Sequence, residues 1–176
     1  MKPAFWIFLI AAAMSAFLLY MVVHHENLRH DGQEIILDME PIDPRSLFRG
    51  HYVRIQTPLS QLDPEKLQGD DTFKKGQLIY VTIEPDQNGS WNAVSLSHHR
   101  PTSPQTFIKG RVKRAHSRLR ILYNIESYFA DQKTAKGLEE QLADHQMRLI
   151  IALSKDGNAV IKGIQIDGER QMDRLW

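Results

Sequence analysis

The sequence QLIYVTIEPDQNGSWNAVSLS occupies residues 77–97 and determines the fold class. Over residues 77–84 apolar side chains alternate with polar ones, and Ile79, Val81 and Ile83 fall on one face, as in a half-buried strand. Pro85-Asp86-Gln87-Asn88-Gly89 has the composition of a turn, and residues 90–97 alternate again. We therefore predict an antiparallel hairpin.

Similar patterns recur on both sides of this hairpin. Alternating segments cover residues 33–39, 51–57, 106–114, 118–124, 147–153 and 159–166. The last two flank Lys155-Asp156-Gly157-Asn158, which is a strong turn signal. Helical spacing is confined to residues 131–144 within this part of the chain. The sequence predicts a mainly β domain over residues 33–166, an antiparallel barrel or sandwich with one short helix, followed by a polar tail over residues 167–176.

The N-terminal segment has a different composition. Residues 4–23 carry no charge and are almost wholly apolar, with Trp6 and Tyr20 near the two ends. A helix of about 20 residues spans the hydrocarbon core of a bilayer, and aromatic residues favour its interfaces. A cleaved signal peptide is the alternative, but the apolar run continues past Ala13 to Val23. We expect a transmembrane anchor within residues 1–23 that contacts the lipid bilayer, and a short polar linker over residues 24–32.

Charge and cysteine content exclude some classes of partner and some kinds of chemistry. The net charge is +1 among 176 residues, and a nearly neutral domain has no general attraction to nucleic acid. Cysteine is absent, so the domain folds without disulfides and without thiol chemistry. With a short N-terminus that carries Lys2, the expected orientation leaves the C-terminal domain outside the cytoplasm.

Residues 41–57 contain the densest cluster of charged residues and residues with special backbone geometry. Pro41 and Pro44 restrict the backbone on both sides of Asp43, whose carboxylate can cap the following turn. Gly50 then precedes the predicted strand. The segment is either a structural turn or a recognition loop in which Arg45, Arg49 and Tyr52 present donors to a partner.

This segment resembles the GDYXXLXY family of membrane-anchored bacterial proteins. The motif aligns with residues 50–57, where Gly50 and Tyr52 match it and Ile55 replaces its Leu. His51 stands in place of the Asp and Thr57 in place of the last Tyr. The missing carboxylate argues against a role for an acid at position 51. The resemblance implies a single-pass protein of the bacterial inner membrane with its domain on the periplasmic side, and it implies no activity.

A second segment, residues 122–129, is also similar to the family. Its Tyr123 and Glu126 complete a candidate surface for a partner or ligand, formed by Asp43, Arg45, Arg49, Gly50, Tyr52, Tyr123 and Glu126. We hypothesise that Glu126 pairs with Arg45 or Arg49, since these are the two segments that resemble the family.

A basic face is predicted on the hairpin of residues 106–124. Strand alternation places Lys109, Arg111 and Lys113 on one face, together with Arg118 and Arg120 from the returning strand. Such a face fits anionic lipid headgroups or an acidic partner, or it is a solvated outer face.

No catalytic, metal or cofactor site is predicted. The histidines lack metal-ligand spacing, and no serine lies in a nucleophile motif. The leading interpretation is therefore a module that binds or scaffolds another membrane or envelope protein. A membrane-anchored hydrolase and an anionic-lipid-binding module are the alternatives.

Overall fold

The computed structural model describes residues 3–40, 52–102, 104–129 and 146–172. One long helix, α1, runs over Pro3–Asp31. It is followed by strands β1 Gln33–Asp38, β2 Tyr52–Arg54, β3 Gln61–Leu62, β4 Gln68–Gly69, β5 Leu78–Pro85, β6 Trp91–Ser97, β7 Phe107–Ala115, β8 Leu119–Leu122, β9 Ser127–Phe129, β10 Met147–Leu153, β11 Ala159–Ile166 and β12 Glu169–Met172. The predicted helix over residues 131–144 lies outside the described residues.

The strands form two larger sheets and a separate two-stranded ladder. One sheet has the order β1-β10-β11-β12, the other β3-β8-β7-β5-β6-β4, and β2 pairs with β9. Only the β4–β6 pair is parallel among the described strands. The chain is thus mainly β after one N-terminal helix, and its sheets form a sandwich or half-barrel. The predicted fold class is confirmed.

The core lies between the two larger sheets and follows the alternation in the sequence. Ile79, Val81 and Ile83 of β5 are buried and pack in one cluster with Leu149 and Ile151 of β10. Burying each such side chain stabilises the fold by about 1.5–3 kcal/mol. The hairpins β5–β6, β7–β8 and β10–β11 are those that the sequence predicted, the first and the last of them with clear turn signals.

A polar contact connects the first sheet to the turn of the β5–β6 hairpin. The buried Ser90 hydroxyl donates to Asp38 Oδ1 at 2.7 Å, and Arg148 Nε donates to the same oxygen at 3.1 Å. Asp38 lies on β1 and Arg148 on β10, so this contact joins two strands to the turn between two others.

Residues 24–31 differ from the linker that the sequence suggested, because they continue α1 without a break. Neither Gly nor Pro interrupts the chain before Gly32, and His30 lies 3.6 Å from Glu26 one turn earlier. We call residues 24–31 the stalk. It contacts β10 and β11, and Arg29 Nη2 donates to the Lys162 carbonyl at 3.4 Å.

The polar tail also differs from expectation, because residues 169–172 form β12 on the edge of the first sheet. Asp167 and Gly168 have φ angles of 47° and 93°, the positive values of a two-residue hairpin turn. The Asp-Gly pair is a strong signal for such a turn. The strand that follows this turn, β12, is polar and exposed along its whole length. It therefore lacks the apolar alternation by which the other strands were predicted.

Candidate functional site

The two segments that resemble the family pair with each other. β2 and β9 run antiparallel, with Tyr52 opposite Phe129 and Arg54 opposite Ser127. The Ile55 N–H extends this contact by donating to the Glu126 carbonyl at 2.9 Å. We call the β2–β9 pair the signature ladder. The sequence indicated that these segments depend on each other, and the structure brings their backbones together.

Glu126 closes the turn that leads into β9. Its Oε1 accepts a hydrogen bond from the Tyr123 N–H, while its own carbonyl accepts from Ile55. Between them Asn124 has φ 66°, a left-handed conformation that Asn tolerates better than most residues. The carboxylate therefore has a structural partner on its own turn. Its ion pair with Arg45 or Arg49 stays a prediction, since both arginines lie outside the described residues.

Tyr123 belongs to the core and not to an exposed binding surface. Its side chain is buried, and its hydroxyl donates to the Leu59 carbonyl at 3.0 Å. Burial, and secondarily the nearby Glu126 carboxylate, raises the pKa of Tyr123 well above its ordinary value. Tyr123 was assigned to a partner surface because its segment resembles the family, and that resemblance carries no information about burial.

The ends of the motif-bearing segment are held side by side. The Glu40 N–H donates to the Gln56 carbonyl at 2.8 Å, and Gln56 Nε2 donates to Glu40 Oε2 at 3.1 Å. The Met39 N–H donates to the Met147 carbonyl at 3.1 Å, which connects the same point to β10. Along the chain, residues 41–51 lie between Glu40 and Gln56. Asp43, Arg45, Arg49 and Gly50 lie within that stretch, outside the described residues.

Thr57 stands where the motif has its last Tyr, and it is buried. Its N–H donates to Ser60 Oγ at 3.1 Å, and the Ser60 N–H donates back to the Thr57 carbonyl at 2.9 Å. This reciprocal pair caps the short 3-10 helix Pro58–Ser60. Position 57 thus follows β2 and begins the short 3-10 helix that leads to β3.

The model of the GDYXXLXY protein family matches residues 14–164, which is most of the chain. The chain belongs to the GDYXXLXY family. The match begins inside α1, includes the signature ladder and the hairpins β5–β6 and β7–β8, and ends within β11. No match was found among curated proteins or among solved structures.

The predicted basic face of this GDYXXLXY protein is rearranged by a β-bulge. The register between β7 and β8 shifts between Val112 and Arg114, so that Arg114 lies opposite Arg120 and Lys113 has no opposite residue. Arg114 is exposed, whereas regular alternation after Lys113 would turn it toward the core. Simple alternation cannot reveal a bulge, because the extra residue changes the face of every residue beyond it.

The remaining predicted cations have different surroundings. Lys109 and Arg111 line a cavity of about 360 Å³ together with Tyr123 and Asn124. Arg111 Nη1 also donates to the Gly76 carbonyl at 2.8 Å. Arg118 and Arg120 are exposed at the far end of the hairpin. The two ends of the predicted basic face thus line different cavities.

A larger cavity, of about 520 Å³, separates the stalk from the β10–β11 turn. It is lined by His24, Asn27, Leu28, Asp31, Gly32, Gln33, Leu153, Ser154, Lys155, Asp156 and Asn158. Among the predicted site residues that the structure describes, none lines it. In the part of the chain that the structure describes, no three His, Asp or Glu side chains are grouped so that they could hold a metal ion.

Proposed function

We propose that this protein is a single-pass protein of the bacterial inner membrane whose β-rich domain lies on the periplasmic side and binds another envelope protein. The observation that carries the proposal is the exposed apolar surface of α1. The segment Phe5–Asp31 is long and apolar enough to cross a membrane, and residues 5–23 within it are exposed. Exposed apolar surface of this extent is stable in lipid and unfavourable in water.

The length of α1 supports a rigid connection between membrane and domain. Its 29 residues extend about 44 Å, whereas about 20 residues cross the hydrocarbon core. The stalk therefore accounts for roughly the last 12 Å. Because the stalk contacts β10 and β11, it holds the domain at a fixed distance from the membrane and in a fixed orientation. A module that binds a partner at the membrane requires such a fixed position.

The signature ladder is the surface that we assign to the partner. Within the described residues, β2 and β9 pair only with each other, so each leaves a backbone edge to which a partner strand can add. Arg54 and Ser127 sit opposite each other on this ladder and are exposed. Membership of the family supports this choice, since the family's motif lies on β2.

Crosslinking in intact cells tests the binding role. A photoreactive residue at Arg54 or Ser127 is expected to capture one discrete protein partner. The same photoreactive residue at Asn92, which is exposed on β6 of the six-stranded sheet, serves as the matched control. Identical adducts from Asn92 and from Arg54, or none from the ladder positions, would contradict the proposal.

A further inference from the structure

The end of the β7–β8 hairpin concentrates positive charge in an unusual register. The bulge in β7 places Arg114 directly opposite Arg120, and Gln61 of β3 lies opposite Arg120 on the other side. Opposite residues in antiparallel strands share a face, with Cβ atoms about 5 Å apart. Gln61, Arg120 and Arg114 thus form a row across three neighbouring strands, and Arg118 lies in the turn beside it.

This arrangement is unfavourable without a counter-charge. Like charges directly opposite each other in a sheet destabilise it. Three other arginines in the described residues have acidic partners: Arg100 contacts Asp156, Arg148 contacts Asp38, and Arg170 contacts Glu34. In contrast, Arg114, Arg118 and Arg120 form no hydrogen bond or ion pair within the described part of the chain.

The row borders an open cavity. It has a volume of about 400 Å³ and is lined by Gln61, Arg114, His116, Ser117, Arg118, Leu119 and Arg120. The side chain of Leu119 is buried in the core, whereas Gln61, Arg114, Arg118 and Arg120 are exposed, so the donors of these four side chains are open to a ligand. A guanidinium presents its donors in a planar fork that matches phosphate or carboxylate oxygens, and the Gln61 amide can add a neutral donor.

We propose that Arg114, Arg118, Arg120 and Gln61 bind a phosphate-bearing anion. A phosphate monoester carries a charge of about −1.5 to −2 at neutral pH and offers three strong acceptor oxygens. It therefore compensates opposed arginines better than a single carboxylate does. The phosphate comes from either a soluble phosphorylated compound or the headgroup of a membrane lipid. The site is separate from the signature ladder, so its test does not depend on the proposed function.

Titration with pyrophosphate tests the site. The full-length chain in nanodiscs of neutral phosphatidylcholine is expected to bind pyrophosphate in calorimetry at low ionic strength. Arg114→Gln and Arg120→Gln are each expected to weaken binding by at least about tenfold. Lys113→Gln is the matched control, because it removes the same charge from the same hairpin at the unpaired bulge position. It is expected to change affinity by less than about threefold, through weakened long-range attraction.

The stability of the unliganded protein separates an anion site from a structural role. Without anion, Arg120→Gln is expected to keep or raise the melting temperature, because it removes a like-charge repulsion. A lowered melting temperature together with unchanged affinity would assign the arginines to folding instead and overturn the proposal.

Two further arms distinguish the sources of phosphate. In nanodiscs that contain phosphatidic acid, weaker apparent binding of pyrophosphate to the wild type indicates that a lipid headgroup competes for the site. Equal affinity in both kinds of nanodisc indicates a soluble ligand. The absence of pyrophosphate binding in neutral nanodiscs, or an equal loss with Lys113→Gln, overturns the proposal. Binding of a glutamate-rich peptide that pyrophosphate does not displace would also overturn it.

Discussion

Tyr123 and Glu126 illustrate how the environment of a side chain determines its role. The two residues are close in sequence, and both were expected on a partner surface. Tyr123 instead contributes its ring to the core and its hydroxyl to the Leu59 carbonyl, and Glu126 closes the turn between them. A short motif identifies residues that matter together. Whether each one faces a partner or the core depends on chain segments that are distant in sequence, here residue 59.

Replacement of Tyr123 by Phe is expected to lower the free energy of unfolding by about 1–3 kcal/mol at pH 7, because the buried Leu59 carbonyl loses its donor. Urea titrations followed by circular dichroism measure this change. Tyr80→Phe is the matched control, since Tyr80 is only partly buried and contacts Phe107 through its ring. An equal decrease in the free energy of unfolding of both variants would show that the hydrogen bond to the Leu59 carbonyl stabilises the fold no more than the Tyr80 hydroxyl does.

The same residue predicts a pH dependence. Burial raises the pKa of folded Tyr123 above the value of about 10 for an unfolded tyrosine. The folded chain then keeps the proton while the unfolded chain loses it, so stability falls as pH rises above about 10 and is unaffected below. The difference in free energy of unfolding between the wild type and Tyr123→Phe is therefore expected to shrink between pH 10 and 11. A constant difference across that range would exclude the linkage.

At the scale of elements, hairpins between strands with apolar alternation were identified from sequence and the edge strand β12 was not. The β5–β6, β7–β8 and β10–β11 hairpins join apolar alternating strands across short turns, and these local features predicted them. β12 is polar and exposed, so its apolar pattern is absent and only the Asp167-Gly168 turn indicates it. The bulge in β7 was equally hidden, because it is a property of the pairing and not of one strand.

Gly168→Val is expected to release β12 from the sheet. Gly168 has φ 93°, which a β-branched residue adopts only at a cost of about 1–2 kcal/mol. Hydrogen exchange at the amides of β12 and at those amides of β11 that face it is expected to accelerate, while β5 remains protected. Asp167→Asn is the control, because Asn tolerates a left-handed backbone. Unchanged exchange in Gly168→Val would show that the turn does not hold β12.

At the scale of the whole molecule, the connection between helix and sheet is the main structural finding. A Cβ at Gly32 would lie 2.5 Å from the Leu28 carbonyl oxygen and 2.9 Å from Ala152 Cβ. Only glycine allows the end of α1 to approach β10 this closely. A linker of the same length would leave the domain free to rotate above the membrane, whereas a docked stalk gives it one orientation.

Gly32→Ala is therefore expected to move the stalk away from β10 and to cost about 1–3 kcal/mol. Because the chain lacks cysteine, spin labels can be attached at Asn27→Cys and Lys155→Cys alone. The distance between them is expected to increase and to broaden. His25→Ala, an exposed stalk position, is the control. An unchanged distance in Gly32→Ala would contradict close packing at this position.

The proposed topology has a direct test that also uses the absence of cysteine. Gln87→Cys lies in the exposed turn of the β5–β6 hairpin and is expected to react with a membrane-impermeant maleimide in intact cells. Lys2→Cys is expected to react only after lysis. The reverse pattern would place the domain in the cytoplasm and would remove the proposed envelope partner.

The sequence by itself determined the apolar N-terminal helix, the three hairpins and the mainly β fold, because apolar run length, alternation and turn residues act over short distances along the chain. Only the tertiary structure decided that residues 52–54 pair with residues 127–129, that Tyr123 is buried, that the stalk docks on β10 and that Arg114 faces Arg120. These features depend on register between strands and on contacts between remote segments. No local pattern of residues specifies either one.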